Sequence, residues 1–301
     1  MNIILNYVLC HQYLESYLRH DESAGEIMNI LVLLTCFNRK EKTEKCIKSL
    51  SKGNSSINFT FIVVDDNSKD GTVEMLEKLR EYHNIYIIKG NGNLFYSGGM
   101  RMGMEYALRE LEEVFDYILL VNDDVEFFDK CIEKMIREIK SNSSVTVGAT
   151  CNKEHLLTYG AIKYSENNSI KYRKVDISEY QLQCDTFNAN CVLIPYFAFK
   201  KVRSMDSSYI HALGDFDYGL ALKKSGLSIY SSSAYIGLCE NNSIKNTWQD
   251  TTLSRIKRIK LKENPKGAPL KPWFYFLKKN FGFVVAIRNA FTPYARILLR
   301  K

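Results

Sequence analysis

The chain has 301 residues, of which 46% are hydrophobic and 25% are charged, and its formal net charge is +7. These fractions are ordinary for a globular protein, and the length allows one large α/β domain with a sizeable core and a tail. Its apolar stretches are shorter than the roughly 18 to 20 residues that a membrane-spanning helix needs, which excludes a transmembrane helix.

Eight cysteines are scattered along the chain without a CxxC pair. This spacing indicates neither a zinc cluster nor a redox pair. Several cysteines stand inside apolar runs, where an unpaired thiol behaves as a small hydrophobic side chain. The pattern therefore predicts a reducing, cytoplasmic setting.

Residues 1–28 precede the first predicted strand and are interpreted as an N-terminal extension. Residues 3–18 could form a short helix, and the start of the chain lacks the basic patch of a signal peptide. Met28 stands directly before the strand, so one interpretation is that translation begins there. A real accessory helix is the other interpretation, and the sequence leaves both open.

The first predicted strand, residues 29–34, ends in the motif TCFNR, and a helix over residues 40–51 follows. Small polar residues between a strand and a helix N-terminus can hold a nucleotide. Arg39, the last residue of the motif, supplies a fixed positive charge for phosphate. The alternative for this residue is an ordinary solvent-exposed arginine.

A second buried strand, residues 59–64, leads directly into Asp65 and Asp66. Carboxylates at the carboxyl end of a parallel strand lie where open α/β sheets bind ligands, so one of these two is the better ligand candidate. Asp70, Gly71 and Thr72 are typical of a turn and cap before the predicted helix over residues 73–80.

A third apolar run, residues 117–121, ends abruptly in Asn122, Asp123 and Asp124. Adjacent carboxylates repel each other, and their desolvation is costly unless a cation offsets the charge. Mg²⁺ or Mn²⁺ that carries a diphosphate is such a cation, because both ions prefer oxygen ligands. The alternative is an acidic junction between a strand and a loop.

Strands and helices alternate over residues 30–139, which predicts parallel strands joined by right-handed crossovers. The second half favours a mixed sheet, with a helix over residues 215–225 closed by Gly226. The fold class is therefore an α/β, Rossmann-like nucleotide-binding mixed sheet flanked by helices. The other elements expected in the second half are strands at 145–150, 157–163, 170–175 and 228–237, and a strand leading into a helix over 190–202.

Basic residues are concentrated in the tail, where residues 255–301 contain thirteen Lys and Arg against one acid, Glu263. Basic residues among aromatic ones suit a helix on an anionic membrane surface, and a helix pair packed on the main domain is the alternative. Nucleic acid is not expected, because the rest of the chain is net acidic and has no nucleic-acid motif. The aromatic residues of the tail are Trp273, Phe274, Tyr275, Phe276, Phe281, Phe283, Phe291 and Tyr294.

The motifs TCFNR, VVDDNSKDGT and LLVNDD occur in this order and together resemble family 2 glycosyltransferases with the GT-A fold. Residues 92–103 resemble the glycine-rich loop of that family, and residues 211–219 stand where it carries its catalytic acidic motif. The resemblance covers residues 29–240 and extends to bacterial rhamnosyl- and galactosyl-type transferases of surface polysaccharide synthesis. It implies an N-terminal extension (1–28), a catalytic domain (29–245) with a nucleotide-sugar half (29–140) and an acceptor half (141–245), and a basic aromatic helical tail (246–301).

The resemblance implies that Asp124 ligates Mg²⁺ or Mn²⁺ and that Asp123 contacts the ribose and assists the metal. Asn122 stands where many relatives have a third carboxylate, and Cys36 where the family usually has proline. The late histidine of the metal shell is absent, so Glu240, Asn241 or water would replace it. The implied donor-binding residues are Thr35, Cys36, Asn38, Arg39, Asp66, Gly98, Gly99, Arg101, Asn122 and Asp123. For the two glycines, a tight loop that enters a helix is the alternative.

The resemblance also implies that Asp215 is the base that deprotonates the acceptor and that the reaction inverts the anomeric carbon. Asp217 would support it or contact the acceptor, but two such residues on one helical turn point in different directions. His211 is a further acceptor candidate, with a packed or surface histidine as its alternative. Both acids could instead be favoured at a helix start by the helix dipole.

The predicted function is transfer of a hexose from a UDP- or dTDP-sugar to a hydroxyl of a lipid-linked glycan precursor of the cell envelope. The protein would lie on the inner face of the cell membrane through residues 255–301, and a homodimer is left open. No QxxRW motif occurs, so single additions are expected. One alternative is a sugar-phosphate nucleotidyltransferase, but that class has a glycine-rich loop after the first strand, and the segment TCFNRKEK contains no glycine. The other alternative is a non-catalytic nucleotide-sugar-binding protein.

Overall fold

The computed structural model describes residues 27–299 except residues 53, 55, 140–142 and 166–169. The short helix predicted over residues 3–18 lies outside the described residues. The prediction of a domain boundary near residue 245 stays a prediction.

The first half of the chain alternates strands with helices, as its sequence predicts. The strands are β1 (Met28–Cys36), β2 (Ile57–Asp65), β3 (Asn84–Lys89) and β4 (Tyr117–Val121). The helices are α1 (Lys40–Ser51), α2 (Thr72–Leu79) and α3 (Phe95–Glu110). The strands are ordered β3-β2-β1-β4 and are all parallel, so their carboxyl ends meet at one edge of the sheet.

The second half extends this sheet in the order β4-β11-β6-β12-β5, with β9 beside β12. β11 is antiparallel to both β4 and β6, which makes the sheet mixed, as predicted. A smaller sheet has the order β10-β7-β8. The remaining elements are β5 (Glu126–Phe127), α4 (Cys131–Arg137), β6 (Ser144–Cys151), β7 (Ala161–Tyr164), β8 (Tyr172–Lys174), β9 (Gln183–Cys184), β10 (Thr186–Phe187), β11 (Cys191–Pro195), α5 (Tyr196–Val202), α6 (Gly214–Lys224) and β12 (Ser228–Leu238).

Two strands of the smaller sheet are shorter than predicted. β7 begins at Ala161 instead of residue 157, because the chain first folds back on the end of β6. In this fold-back the N–H of Thr158 donates to the carbonyl of Thr150 at 2.9 Å, and Leu157 makes only an isolated bridge. β8 covers three residues in place of the predicted six.

The core lies on both faces of the large sheet. Successive residues of a strand point to opposite faces, so Leu31 and Leu33 pack with α3 and α6 while Ile30 and Val32 pack with α1 and α2. All four of these β1 side chains are fully buried. Burial on both faces accounts for the continuous apolar runs of the parallel strands.

The seven cysteines among the described residues are unpaired and buried, as expected for small hydrophobic side chains. The tail is helical, with α7 (Arg255–Lys262), a 3₁₀ turn (Pro265–Gly267), α8 (Leu270–Phe281), α9 (Phe283–Ala290) and α10 (Thr292–Leu298). None of the described helices is long and apolar enough to cross a bilayer.

The tail is only partly a solvated basic surface. Arg258 is buried, and its Nε donates to the carbonyl of Trp248 at 2.7 Å. Lys262 is buried beside the carbonyl of Ala268. Helix α8 packs on the main domain, with Phe276 against the ring of Tyr209. Plain packing, one of the two alternatives for the tail, therefore holds for α8.

Candidate active site

A cavity of about 550 Å³ opens at the carboxyl ends of the parallel strands. Nine of the residues singled out in the sequence line it: Thr35, Cys36, Arg39, Asp66, Asn122, Asp123, Asp124, His211 and Asp215. Five others do not line it: Asn38, Gly98, Gly99, Arg101 and Asp217. Because β1, β2 and β4 end at the same edge, side chains more than 80 residues apart in sequence are brought together.

Arg39 bridges the two adjacent carboxylates of the third motif. Its Nη1 lies 2.8 Å from Oδ1 of Asp123 and 3.1 Å from Oδ2 of Asp124. Burial raises the pKa of Asp123 to about 6, with the charge of Asp124 adding to the rise and the guanidinium opposing it. Arg39 is thus a partner of both carboxylates, although its side chain is 42% exposed.

The residues beside Arg39 also fit a hard divalent cation. Oδ2 of Asp123 and Oδ1 of Asn122 are buried without a hydrogen-bond partner, and unsatisfied buried oxygens are costly. No group of three or more His, Cys, Asp or Glu side chains in the described chain is arranged to hold a metal. Two carboxylates and an amide would therefore need phosphate or water oxygens to complete the shell, which is usual for Mg²⁺.

At the end of β12, where relatives have the late histidine, the side chain that contacts Asp124 is that of Cys239. Sγ of Cys239 lies 3.6 Å from Oδ1 of Asp124. Glu240 is directed elsewhere, since its Oε1 accepts from the N–H of Lys153 at 3.2 Å. Replacement of the histidine by Glu240 or Asn241 therefore stays a prediction, and Cys239 is the neighbour that contacts Asp124 here.

Asp66 shapes the loop between β3 and α3. Its Oδ1 accepts from the N–H of Gly92 at 2.7 Å, and its Oδ2 accepts from Leu94 at 2.9 Å and Phe95 at 3.2 Å. A Cβ at Gly90 would lie 2.6 Å from Oδ1 of the same carboxylate. The carboxylate of Asp66 thus lines the cavity, and three backbone N–H groups already donate hydrogen bonds to it.

The glycine pair lies near the start of α3 and does not itself line the cavity, although its neighbour Thr35 does. A Cβ at Gly99 would lie 2.2 Å from Oγ1 of Thr35, so glycine there allows the helix to approach β1. A Cβ at Gly98 would meet only ordinary contacts, at 3.6 Å and beyond. Close packing at the helix start accounts for Gly99, and the approach of the two glycines to a donor stays a prediction.

Arg101 and Asn38 make hydrogen bonds within the protein and do not line the cavity, so their donor contacts stay predictions. Nη1 of Arg101 donates to the carbonyls of Asp206 at 3.3 Å and Tyr209 at 3.0 Å. Oδ1 of Asn38 accepts from the N–H of Lys69 at 2.7 Å, which joins the loops after β1 and β2. Asn38 adopts a left-handed backbone conformation (φ 51°), a region in which asparagine is enriched.

Asp215 lies at the start of α6 and lines the cavity. Its Oδ1 accepts from the N–H of Phe216 at 2.9 Å and its Oδ2 from that of Ala189 at 3.4 Å. Burial raises the pKa of Asp215 to about 6, against these hydrogen bonds. Because its pKa is near neutrality, the carboxylate can accept a proton and still be ionised at pH 7.

Asp217 points away from the cavity and is 2% exposed. Its Oδ2 lies 2.7 Å from Nζ of Lys279, and its Oδ1 accepts from Nδ2 of Asn280 at 2.8 Å and from the hydroxyl of Tyr209 at 3.2 Å. This orientation does not favour the predicted role of Asp217 in supporting Asp215 or contacting the acceptor, because two residues along a helix the side chain diverges from Asp215. Asp217 instead fastens α8 to α6.

A short backbone segment connects the two ends of the cavity. The carbonyl of Asn190 accepts from the N–H of Asn122 at 3.1 Å, on the side of the carboxylate pair. The preceding Ala189 donates to Asp215, on the opposite side. This segment runs directly into β11, the strand that joins the parallel half of the sheet to the rest.

His211 lines the cavity between the rings of Phe95 and Tyr96, at 6.1 and 6.5 Å between centroids. Its Nδ1 accepts from the N–H of Tyr96 at 3.4 Å. Burial lowers the pKa of His211 to about 4, with a smaller effect from Lys266 and Arg39. A neutral imidazole therefore faces the cavity, which leaves its acceptor role as a prediction.

Aromatic side chains that the sequence did not single out for the site also line the cavity. They are Phe37, Phe95, Tyr96, Tyr159, Tyr164, Tyr172, Phe216, Phe276 and Phe281. Phe276 and Phe281 belong to the tail, whose aromatic residues were interpreted as membrane contacts. Lys266, from the 3₁₀ turn of the tail, adds a positive charge to the wall.

Residues 31–202, more than half of the chain, match the model of the family described as glycosyl transferase family 2. The chain belongs to glycosyl transferase family 2. The family indicated by the ordered motifs is thereby confirmed.

Two curated glycosyltransferases are similar to part of the chain. Dolichol-phosphate mannosyltransferase of Pyrococcus furiosus is 23% identical over 122 residues, which are 40% of this chain and 33% of the relative. The low-salt glycan biosynthesis hexosyltransferase Agl10 of Haloferax volcanii is 24% identical over 199 residues, or 62% of this chain and 61% of the relative. The chain thus spans about a third of the first relative and three-fifths of the second.

Two solved structures share the fold. The mannosyltransferase PcManGT from Pyrobaculum calidifontis, in complex with GDP-Man and Mn²⁺, has a TM-score of 0.56 with 8% identity, covering 97% of this chain and 81% of that chain. S. aureus TarS 1–349 in complex with UDP-GlcNAc has a TM-score of 0.53 with 14% identity, covering 90% and 81%. The likeness confirms the predicted GT-A fold.

Proposed function

We propose that this protein transfers a sugar from a nucleotide-sugar donor to an acceptor hydroxyl. One observation supports this most directly: a single cavity is lined by the carboxylate pair with Arg39 and by Asp215, whose pKa is raised to about 6. Membership of family 2 favours the same chemistry. The two solved structures bind GDP-Man and UDP-GlcNAc, so a nucleotide sugar is the expected donor class.

The transfer is a direct displacement in this proposal. The acceptor oxygen forms a bond to the anomeric carbon, and the bond from this carbon to the donor phosphate oxygen breaks. The acceptor proton moves to a carboxylate oxygen of Asp215. A single displacement of this kind inverts the anomeric carbon. No second carboxylate is needed as a nucleophile.

Charge develops on the leaving diphosphate and needs compensation inside the cavity. Arg39 and Lys266 are cationic side chains on the cavity wall and would supply part of it. Asp123, Asp124 and Asn122 would hold Mg²⁺ or Mn²⁺. When bound, such an ion would neutralise negative charge on the diphosphate. Thr35, Cys36 and Asp66 line the cavity and remain the candidates for nucleoside contact.

A thermal-shift screen tests donor binding. A ligand that binds only the folded state raises its melting temperature, by several degrees when present at about 100 times its Kd. We expect at least one UDP-, dTDP- or GDP-sugar to do so with Mn²⁺, and the rise to shrink with a chelator. If no nucleotide sugar shifts the transition, the proposal fails. Stabilisation without turnover would favour the non-catalytic alternative.

We also propose that the tail holds the protein on an anionic membrane surface, where a lipid-linked acceptor would lie. Three apolar side chains of α9 are exposed, namely Phe283 (57%), Val284 (59%) and Ile287 (54%), and so is Phe291 (65%), the residue after the helix. Their spacing puts them along one side of the helix. Lys278 lies over the Phe283 ring at 6.0 Å, and Arg288 is on the same helix.

Vesicle sedimentation tests the membrane proposal. The full chain is expected to sediment with vesicles that contain anionic lipid and much less with neutral vesicles, because basic residues contribute about 1 kcal/mol each near an anionic surface. A triple variant, Phe283→Ser, Ile287→Ser and Phe291→Ser, should stay in the supernatant. Tyr82→Ser, at a 79% exposed aromatic residue on the other half of the chain, is the matched control. Equal sedimentation of the triple variant and the control would contradict the proposal.

A further inference from the structure

Five aromatic rings form a continuous row along one side of the cavity. We call Phe216, Tyr172, Tyr164, Phe281 and Phe276 the aromatic row. Successive ring centroids are 5.5, 5.9, 5.1 and 5.9 Å apart, and each pair is packed edge to face. All five residues line the cavity.

The row is assembled from four elements that are distant in sequence. Phe216 comes from α6, Tyr172 and Tyr164 come from β8 and β7 of the smaller sheet, and the other two come from α8. The ion pair between Asp217 and Lys279 fastens α8 to α6 and thereby supports the arrangement. The tail is thus part of the wall of the cavity.

The row lies beside the proposed base. Phe216 directly follows Asp215, and its N–H donates to that carboxylate. Burial raises the pKa of Tyr172 and Tyr164, and the negative charge of Asp215 adds to both rises. A molecule that rests on the row is therefore within the electrostatic reach of the carboxylate.

The row leaves aromatic surface open to the cavity. Tyr172 lines the cavity and is 52% exposed, whereas Phe276 at the other end of the row is 3% exposed. A pyranose ring has the matching shape, because its C–H groups form an apolar face while its hydroxyls point to the sides. Aromatic faces are negative and attract the weakly positive hydrogens of C–H groups.

We propose that the aromatic row is the acceptor subsite and that it binds a pyranose ring by stacking. This inference rests on the proposed transfer reaction and names the acceptor group that it uses. A sugar on the row would present hydroxyl groups at its edge, where Asp215 can take a proton. A hydrocarbon chain would fill the same apolar surface but would offer nothing for Asp215 to deprotonate, so the position beside the base favours the sugar.

Saturation-transfer NMR on the full chain tests the subsite without knowledge of the natural acceptor. The probes are methyl glycosides of mannose, glucose, galactose and rhamnose, with geranyl phosphate as the hydrocarbon probe. We expect transfer from the aromatic protons to ring C–H protons of at least one glycoside. Tyr172→Ala should weaken that binding by about five- to tenfold, and Tyr172→Phe should retain it. Tyr180→Ala, at a 73% exposed tyrosine that does not line the cavity, is the control.

The outcomes separate this inference from the proposed function. Absence of transfer to every glycoside, an unchanged signal in Tyr172→Ala, or transfer to geranyl phosphate in place of the sugars would overturn it. Each variant is also tested for the melting-temperature shift by donor, which Tyr172→Ala should keep. If donor did not raise the melting temperature of the unaltered chain, that result would count against the proposed function. Because Tyr172 is half exposed, its replacement is not expected to unfold the protein.

Discussion

Replacement of Asp215 by Asn is expected to abolish sugar transfer, with kcat reduced by about 10²- to 10⁴-fold. The amide keeps the size of the side chain but cannot accept the acceptor proton. Donor binding should change little, because the carboxylate pair and Arg39 line a different part of the cavity wall. The measurement is steady-state turnover beside the melting-temperature shift by donor.

Asp217→Asn is the matched control for this variant. It makes the same chemical change two residues away, on a side chain that pairs with Lys279 outside the cavity. Loss of a charge partner from a buried pair should lower the melting temperature. The folded fraction should still turn over substrate. Turnover by Asp215→Asn at the rate of the unaltered chain would remove Asp215 from the role of base.

The pH profile gives a second test of the same residue. The base acts as a carboxylate, and burial raises the pKa of Asp215 to about 6. Turnover should therefore be constant above that pH and fall about tenfold per unit below it. Saturating donor and metal are required, because burial also raises the pKa of Asp123 to about 6. An unchanged kcat down to pH 5 would contradict the assignment.

Asp124→Ala is expected to weaken Mn²⁺-dependent donor binding by about 10- to 100-fold or more, since it removes a proposed oxygen ligand. It also removes one of the two carboxylates that hold Arg39. Binding of Mn²⁺ can be followed by the loss of its free-ion electron paramagnetic resonance signal, with and without donor. This readout does not depend on turnover.

Asp129→Ala is the control for charge at this site, because Asp129 is an exposed acid shortly after the pair and does not line the cavity. It should bind Mn²⁺ and donor like the unaltered chain. Identical titrations for the Asp124 and Asp129 variants would show that Asp124 is not a ligand. If the donor still bound in the absence of any divalent ion, the positive charge that offsets the donor diphosphate would be assigned to Arg39 and Lys266.

The sequence predicts the first half of the fold well for a physical reason. Strands buried on both faces are continuous apolar runs, and residues 30–34 and 117–121 are such runs. The polar residues that follow each run mark the end of the strand. Because parallel strands have their carboxyl ends at the same edge of the sheet, the sequence places Asp123 and Asp124 at the edge where the cavity opens. The three residues of β8 have no such signal, because all three are exposed.

Side-chain direction within helices is harder to predict from sequence. The spacing of Asp215 and Asp217 indicates that they diverge, but only the packing of α8 shows that Asp217 turns to Lys279. The roles of Gly99 and Arg101 likewise depend on which neighbours α3 meets. Phe281 reaches the cavity from a segment more than 60 residues beyond Asp215, and no local pattern encodes that contact.

Residues 189–190 have a consequence for substrate selection. The carbonyl of Asn190 accepts from Asn122, which directly follows β4, and the N–H of Ala189 donates to Asp215 at the start of α6. The distance between the proposed metal-binding motif and the proposed base is therefore set in part by main-chain hydrogen bonds. Lengthening or shortening the chain by one residue at this point should mis-space the reacting atoms even though every polar side chain is kept.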